Sequence, residues 1–278
     1  MTSNRPPRLL SIAGSDSGGG AGIQADLKAF ARCGGHGMTA ITAITAQNTR
    51  EVLAVHPLAP GVVLEQVRAV VDDIGVDGVK VGMLGSVATI EEVAGALDLL
   101  APVPVVVDPV MVSESGAVLL PDEARELLRI RILPRATVVT PNLPEARALA
   151  GAAVDAHGDA ADLARAIYAL GPGAVVITGG HREGGSDLFF DGGEPVEIGG
   201  ERHPDGAAHG SGCTHSSALA ALLARGLSPL EAAHGARAIA SEAVRDGLRG
   251  IGGGAGPVDV LGVAKGAFAV PTGGRPLP

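Results

Sequence analysis

Residues 103–109 read Val-Pro-Val-Val-Val-Asp-Pro, and this stretch decides the fold class. An almost purely β-branched run is typical of a central parallel strand that is buried on both faces. Asp108 stands at the C-terminal end of this predicted strand. Because both faces of such a strand must be covered, the stretch predicts a sheet that lies between two layers of helices.

Strand-like and helix-like segments alternate on both sides of this stretch. The other predicted parallel strands cover residues 9–14, 38–44, 78–82, 136–140 and 174–178. Residues 187–190 and 195–198 indicate an antiparallel pair, and apolar residues recur at helical spacing between the parallel strands. The alternation predicts an α/β fold with a mostly parallel central sheet.

The chain shows no linker, repeat or change of composition that would divide it. We therefore predict a single domain over residues 1–278, with loose ends at about residues 1–7 and 271–278. Apolar residues make up 46% of the 278 positions, which is enough for a sizeable core.

Charge and segment composition limit the partners of the chain. Acidic residues outnumber basic ones by 30 to 21, which argues against nucleic acid and anionic membranes as partners. The N-terminus lacks the apolar run of a signal peptide, and no stretch approaches the roughly 18 apolar residues of a membrane span. We expect a cytoplasmic protein. Cys33 and Cys213 are far apart in sequence and suggest neither a disulfide framework nor a metal cluster.

A glycine-spaced loop at residues 206–212 passes directly into an Ala/Leu-rich helix. The first turn of a helix carries unpaired N–H groups and the positive end of the dipole, so the loop is predicted to receive a phosphoryl group. It is not a Walker A loop, because no Gly-Lys-Ser/Thr follows the glycines. The dipole should favour the thiolate of Cys213, which could then take a proton from a substrate hydroxyl. A helix-start loop with a half-buried cysteine is the alternative.

Polar groups follow several of the predicted strands. They are Asp16, Gln47, Asp108, Asn142, Glu145 and the pair Gly179-Gly180. Since ligands bind at the carboxyl ends of parallel strands, these groups are predicted to share one site. The glycine-rich loop at residues 14–22 does not fit a dinucleotide fingerprint and could close over a small flat ligand.

A series of longer motifs carries a family resemblance. They read Ile-Ala-Gly-Ser-Asp-Ser-Gly-Gly-Gly-Ala-Gly-Ile-Gln-Ala-Asp-Leu-Lys at residues 12–28, Thr-Ala-Ile-Thr-Ala-Gln-Asn-Thr at 42–49, Lys-Val-Gly-Met-Leu at 80–84, Asp-Pro-Val-Met at 108–111, Thr-Pro-Asn-Leu-Pro-Glu-Ala at 140–146, Gly-Gly-His at 179–181 and His-Gly-Ser-Gly-Cys-Thr at 209–214. In this order they resemble the hydroxymethylpyrimidine/phosphomethylpyrimidine kinase family. The resemblance covers about residues 8–260.

The resemblance implies a ribokinase-like three-layer α/β/α sandwich and a two-step activity that uses ATP and Mg²⁺. The first step phosphorylates the hydroxymethyl group of 4-amino-5-hydroxymethyl-2-methylpyrimidine, and the second converts the monophosphate to the diphosphate for thiamine biosynthesis. Members of the family are often dimers, so the resemblance also implies a homodimer.

The resemblance implies a substrate-binding set of Gly14, Gln47, Asp26, Met83 and Val110. Gln47 would hydrogen-bond the aminopyrimidine edge, which suits a side chain that has both a donor and an acceptor. Met83 and Val110 would pack on the flat ring, and Asp26 would lie near the substrate.

The resemblance assigns the remaining site residues to catalysis, nucleotide and metal. Cys213 would be the base, and Gly210, Ser211 and Gly212 would form the anion hole. The implied nucleotide-binding residues are Asp108, Asn142, Thr178 and Gly180. Asn142 and Glu145 would hold Mg²⁺ through water, as suits an ion that sheds its hydration shell reluctantly.

The sequence departs from the family pattern at two places that handle phosphate. Residues 113–116 read Ser-Glu-Ser-Gly where the family often has Ala-Lys-Ser-Gly, and Thr178 stands where it often has Lys. Each departure replaces a cation and brings the efficiency of the second phosphorylation into question. Two alternatives are a pyridoxal kinase of the same superfamily and a pyrimidine-binding protein without catalysis.

Overall fold

The structure is a computed structural model that describes residues 5–113, 116–154, 158–181, 184–204 and 206–266. The predicted loose ends at residues 1–4 and 271–278 lie outside these ranges. In the described part of the predicted N-terminal loose end, Arg5 pairs with Asp77 at 3.0 Å and the carbonyl of Pro7 accepts the amide of His36.

The strands form one nine-stranded sheet within the described residues. They are β1 (Arg8–Ser15), β2 (His36–Gln47), β3 (Val52–Pro57), β4 (Gly78–Val81), β5 (Val105–Val107), β6 (Val138–Val139), β7 (Val175–Ile177), β8 (Asp187–Phe190) and β9 (Val196–Ile198), in the order β3-β2-β1-β4-β5-β6-β7-β8-β9. The six neighbouring strands β2, β1, β4, β5, β6 and β7 pair in parallel. Strand β3 at one edge, and β8 and β9 at the other edge, pair antiparallel. The mostly parallel sheet is thereby confirmed.

Helices cover both faces of the sheet. They are α1 (Gly22–Arg32), α2 (Val62–Asp73), α3 (Val87–Leu97), α4 (Asp122–Arg131), α5 (Leu143–Ala150), α6 (Ala160–Tyr168), α7 (Ser211–Ala224) and α8 (Pro229–Arg245). Side chains of α2 to α6 pack in one core cluster, and those of α1, α7 and α8 pack in another.

Strand β5 shows why the layers form. Val105 and Val107 lie in the first core cluster, whereas Val106 lies in the second. Because successive side chains of a strand point to opposite faces, a run of valines must bury both faces of the sheet. The result is the three-layer α/β/α sandwich that the sequence predicts.

The edge hairpin of β2 and β3 differs from the sequence-based expectation. Ala46 and Gln47 belong to β2 rather than to a loop, and they pair with Ala54 and Val52 of β3. Strand β3 was not predicted, because most of its residues are exposed and the segment before it, residues 47–51, is polar. Among the described helices, none is long and apolar enough to span a membrane.

Candidate active site

A cavity of about 650 Å³ lies at the carboxyl ends of the parallel strands, where the N-terminus of α7 meets β1, β4 and β5. Its lining includes the predicted residues Gly14, Gln47, Met83, Asp108, Val110, Asn142, Glu145, Thr178, Gly180, Gly210, Ser211, Gly212 and Cys213. The sheet order brings these residues together, because their strands are neighbours although their positions in sequence are far apart. Glu114, one of the two departures from the family pattern, lies outside the described residues.

Asp26 is not among the residues that line the cavity, and its predicted place near the substrate stays a prediction. Its side chain is fully buried on α1 and is surrounded by protein donors. The hydroxyls of Ser11 and Ser217 donate to its carboxylate at 2.5 and 2.7 Å, and Lys80 Nζ lies 3.0 and 3.1 Å from its two oxygens. Asp26 therefore contacts the site indirectly, through Lys80 in the cavity wall and Ser217 on α7.

Lys80 is a fully buried cation in the cavity wall. Besides Asp26, it faces Asp108 at 4.0 Å. Burial by itself would lower the pKa of Lys80, but Asp26, Cys213 and Asp108 outweigh burial and hold this pKa above its usual value. No role was predicted for Lys80 from the sequence, although a lysine inside an apolar strand indicates a buried charge pair.

Cys213 lies in the first turn of α7, as predicted. Its predicted low pKa is wrong. Burial is the largest influence and raises the pKa of the thiol to about 12; Asp26 and Asp108 add to this increase and Lys80 opposes it. In the ligand-free chain the thiol therefore keeps its proton at neutral pH. The helix dipole does not offset the burial of the thiol and the two nearby carboxylates.

The two glycines of the predicted anion hole, Gly210 and Gly212, are glycine for different structural reasons. Gly210 precedes α7 with φ +87°, and a Cβ there would lie 1.7 Å from the carbonyl oxygen of Gly20. Gly210 is therefore required by loop packing rather than by ligand access. A Cβ on Gly212 would meet nothing within 4 Å, so only Gly212 fits the open approach that the sequence predicts for an anion.

Of the three backbone amides at the start of α7, one donates a hydrogen bond within the described part of the chain and two do not. The amide of Ser211 donates to the carbonyl of Ala208 at 2.9 Å. Within the described residues, no hydrogen-bond acceptor is found for the amides of Gly212 and Cys213. These two amides, in the first turn of α7, are the donors that can receive a phosphoryl oxygen.

Asn142 and Glu145 form a capping box at the start of α5. The Asn142 amide donates to Glu145 Oε2, and the Glu145 amide donates to Asn142 Oδ1, both at 2.9 Å. Burial first and the neighbouring carboxylate of Asp108 second raise the pKa of Glu145 to about 8. Burial also raises the pKa of Asp108, whose Oδ2 accepts the Ser216 hydroxyl at 3.0 Å.

A second buried charge cluster joins the loop after β7 to α7 and α8. Asp187 Oδ1 accepts the Gly179 amide at 2.6 Å, and His215 and Arg237 lie 3.2 and 3.7 Å from its carboxylate. All three side chains line the cavity beside Thr178. His215 is buried, although it stands on a helix among polar neighbours in sequence. Arg237 was not predicted, since nothing in the sequence of α8 separates it from surface arginines.

Sequence comparisons with known proteins match one family of kinases. The family model described as phosphomethylpyrimidine kinase matches residues 16–259. A hydroxymethylpyrimidine/phosphomethylpyrimidine kinase of Streptomyces coelicolor is 48% identical over 257 residues, which cover 91% of this chain and 94% of the relative.

Two solved structures are similar to this fold. The pyridoxal kinase of Staphylococcus aureus, in complex with AMP-PCP and pyridoxal, has a TM-score of 0.82 at 35% identity and covers 92% of this chain and 94% of its own. The phosphomethylpyrimidine kinase of Clostridium difficile has a TM-score of 0.74 at 40% identity, with coverage of 86% and 99%.

Proposed function

This chain belongs to the phosphomethylpyrimidine kinase family, and we propose that its cavity carries out both phosphorylations of hydroxymethylpyrimidine in thiamine biosynthesis. ATP is the phosphoryl donor. The product of the first step is the monophosphate, and the second step phosphorylates that monophosphate to the diphosphate. The ribokinase-like sandwich provides one cavity that holds the pyrimidine-side residues, the free amides of α7 and Thr178 of the nucleotide side together. This common cavity is the observation that carries the proposal.

Gln47 and Met83 suit the pyrimidine ring. Gln47 ends β2, and its Oε1 lies 3.3 Å from the hydroxyl of Thr45. Its amide group has both donors and an acceptor for an aminopyrimidine edge. Met83 is buried, and its methyl carbon would lie 2.3 Å from a Cβ on Gly14, so Gly14 leaves space for this side chain beside β1. Met83 and Val110 give the ring an apolar wall.

Transfer requires charge stabilisation more than proton removal. The substrate hydroxyl oxygen forms a bond to the γ-phosphorus, the bond to the β-phosphate oxygen breaks, and ADP leaves. The amides of Gly212 and Cys213 receive the charge of the transferred group. The hydroxyl proton passes to Cys213 only if its thiol has first been deprotonated, so the base role requires an active state in which the pKa of this thiol is lower.

Asp108, Asn142 and Glu145 fit a divalent cation. Two buried carboxylates lie close enough for Asp108 to raise the pKa of Glu145, and Lys80 is the cation that faces Asp108. Carboxylates, an amide oxygen and water are the ligands that Mg²⁺ prefers. We propose that Asn142 and Glu145 hold Mg²⁺ through water, where it would neutralise phosphate charge. Within the described residues there is no cluster of three His, Cys, Asp or Glu side chains arranged for direct coordination.

A homodimer, which follows from the resemblance, and a cytoplasmic location, which follows from the segment composition, remain proposals. Sedimentation velocity of the purified chain and fractionation of its native cells test them. A second activity on pyridoxal is favoured by one observation, the likeness to a pyridoxal kinase structure that contains pyridoxal.

The direct test is product analysis. The purified chain is incubated with Mg-ATP and hydroxymethylpyrimidine, with pyridoxal, or with both in competition, and the products are separated by mass. We expect the pyrimidine monophosphate followed by the diphosphate, and preference for the pyrimidine in competition. Pyridoxal phosphate alone would contradict the proposed substrate, and binding of the pyrimidine without ADP formation would support a non-catalytic protein.

A further inference from the structure

Asp16 organises the glycine-rich loop that follows β1. Its Oδ1 accepts the amide of Gly18 at 2.7 Å, and its Oδ2 accepts the amides of Gly20 and Ala21 at 3.0 and 2.8 Å. The side chain is 2% exposed. Burial alone would raise the pKa of Asp16, but these donors and His209 lower it below its usual value, so the buried carboxylate stays ionised.

His209 connects this loop to the turn that precedes α7. Its Nε2 lies 3.0 Å from Asp16 Oδ2, across 193 positions of sequence. Its own backbone is fixed on both sides, because its amide donates to the carbonyl of Gly256 and its carbonyl accepts the amide of Val258. The imidazole is buried and cannot serve as a surface group. His209 therefore holds the Asp16 loop against a rigid segment.

The two loops meet backbone to backbone. A Cβ on Gly20 would lie 2.1 Å from His209 Cδ2, and a Cβ on Gly210 would lie 1.7 Å from the Gly20 oxygen. At the end of the loop, the backbone amide of Gly22 lies close enough to Cys213 to lower the pKa of its thiol. A displacement of the Asp16 loop would therefore reach both the turn at Gly210 and the sulfur of Cys213.

We propose that Asp16 and His209 are positioning residues that lock the loop after β1 onto the turn before α7. The lock fixes the amides of Gly212 and Cys213, and the position of the Cys213 sulfur, for phosphoryl transfer. Asp16 lines the cavity, but its two oxygens accept four protein donors, so we assign it to holding the loop. This role rests on the proposed function, because it assigns the pair to the transfer step.

The test compares three histidine variants. His209→Ala removes the donor, His209→Gln places an amide N–H near the position of Nε2, and His36→Ala is the matched control. His36 is exposed at the start of β2, at the opposite end of that strand from Gln47. For each variant, kcat and KM for hydroxymethylpyrimidine are measured below the melting temperature, together with hydrogen–deuterium exchange of peptides over residues 206–216.

We expect His209→Ala to lower kcat about 10- to 100-fold with little change in KM, because misplaced groups cost rate rather than ground-state binding. Exchange over residues 206–216 should accelerate, and His209→Gln should restore much of both. Normal kcat and normal exchange in His209→Ala would overturn the proposal, as would a His209→Gln variant no better than His209→Ala. If the wild-type chain phosphorylates no pyrimidine, the proposed function fails, while the exchange comparison still decides whether the pair locks the two loops.

Discussion

Lys80 Nζ lies 3.0 Å from Asp26 Oδ1, and both side chains are fully buried. Removal of one partner from such a pair leaves an uncompensated charge, which typically costs about 3–5 kcal/mol. We expect Lys80→Met to lower the free energy of unfolding by roughly that amount in urea titrations, and Lys80→Met with Asp26→Asn to recover part of the loss.

The surface pair of Arg32 and Glu242, at 2.9 Å, is the matched control for this prediction. Arg32→Met should change the unfolding free energy by less than about 1 kcal/mol, because exposed ion pairs contribute little. A Lys80→Met variant as stable as Arg32→Met would show that Lys80 does not compensate the charge of Asp26.

Glu145 predicts a dependence of stability on pH. Its pKa of about 8 in the folded chain lies above the usual value, so the folded state holds a proton that the unfolded state has released. The contribution of this proton to the free energy of unfolding should therefore be complete below about pH 4.3, the ordinary glutamate pKa. It should fall as pH rises toward 8. In Glu145→Gln, which keeps the acceptor of the capping box, the decline should be smaller.

Urea unfolding of both proteins at a series of pH values, without metal and then with Mg²⁺ and ADP, measures this effect. Divalent cations favour the ionised carboxylate, so Mg²⁺ with ADP should flatten the decline in the wild-type chain. Equal slopes for the wild-type chain and Glu145→Gln would contradict the assignment of the buried proton.

Alanine substitutions at Gly210 and Gly212 should have very different effects on stability, although both glycines belong to one motif. Gly210→Ala introduces a Cβ at φ +87° and 1.7 Å from the Gly20 oxygen, so we expect it to lower the melting temperature and kcat together. Gly212→Ala points into open space and should leave the melting temperature near that of the wild-type chain. Thermal melts by circular dichroism decide the point, and a lower melting temperature for Gly212→Ala than for Gly210→Ala would contradict it.

Gln47→Ala should weaken pyrimidine binding with little effect on folding. An unpaired polar group of the bound ring costs roughly 1–3 kcal/mol, which corresponds to about a 5- to 150-fold higher KM. His56→Ala, on the exposed face of the same hairpin, is the control. Unchanged pyrimidine affinity in calorimetry of Gln47→Ala would remove Gln47 from the substrate site.

The sequence predicts the fold well where the signal is local. The valines of residues 105–107 must bury both faces of a sheet, and this requirement is visible without any partner. Gly210 was predicted as part of an anion hole, which stays a prediction, and the structure gives a separate reason for glycine there, because a Cβ would collide with the carbonyl oxygen of Gly20. The reason is the contact with Gly20, which is distant in sequence, so the sequence alone does not reveal it.

The charges of the site were harder to predict because they depend on distant partners. Asp26 follows a glycine-rich loop in sequence, yet its contacts are Lys80 and two serines from other elements. The dipole of α7 suggested an acidic thiol at Cys213, and burial first, with the carboxylates of Asp26 and Asp108 second, reverses that expectation. The link between Asp16 and His209 likewise joins residues that no local pattern connects.

The most direct measurement is the steady-state rate of Cys213→Ala with hydroxymethylpyrimidine and Mg-ATP. Loss of a general base typically lowers the rate about 10²- to 10⁴-fold, so kcat should fall within that range while KM for the pyrimidine stays nearly constant. Cys213→Ser should be almost as slow, because a hydroxyl is a poor base. A Cys213→Ala enzyme with near-normal kcat would contradict the account of Cys213 as the base in phosphoryl transfer.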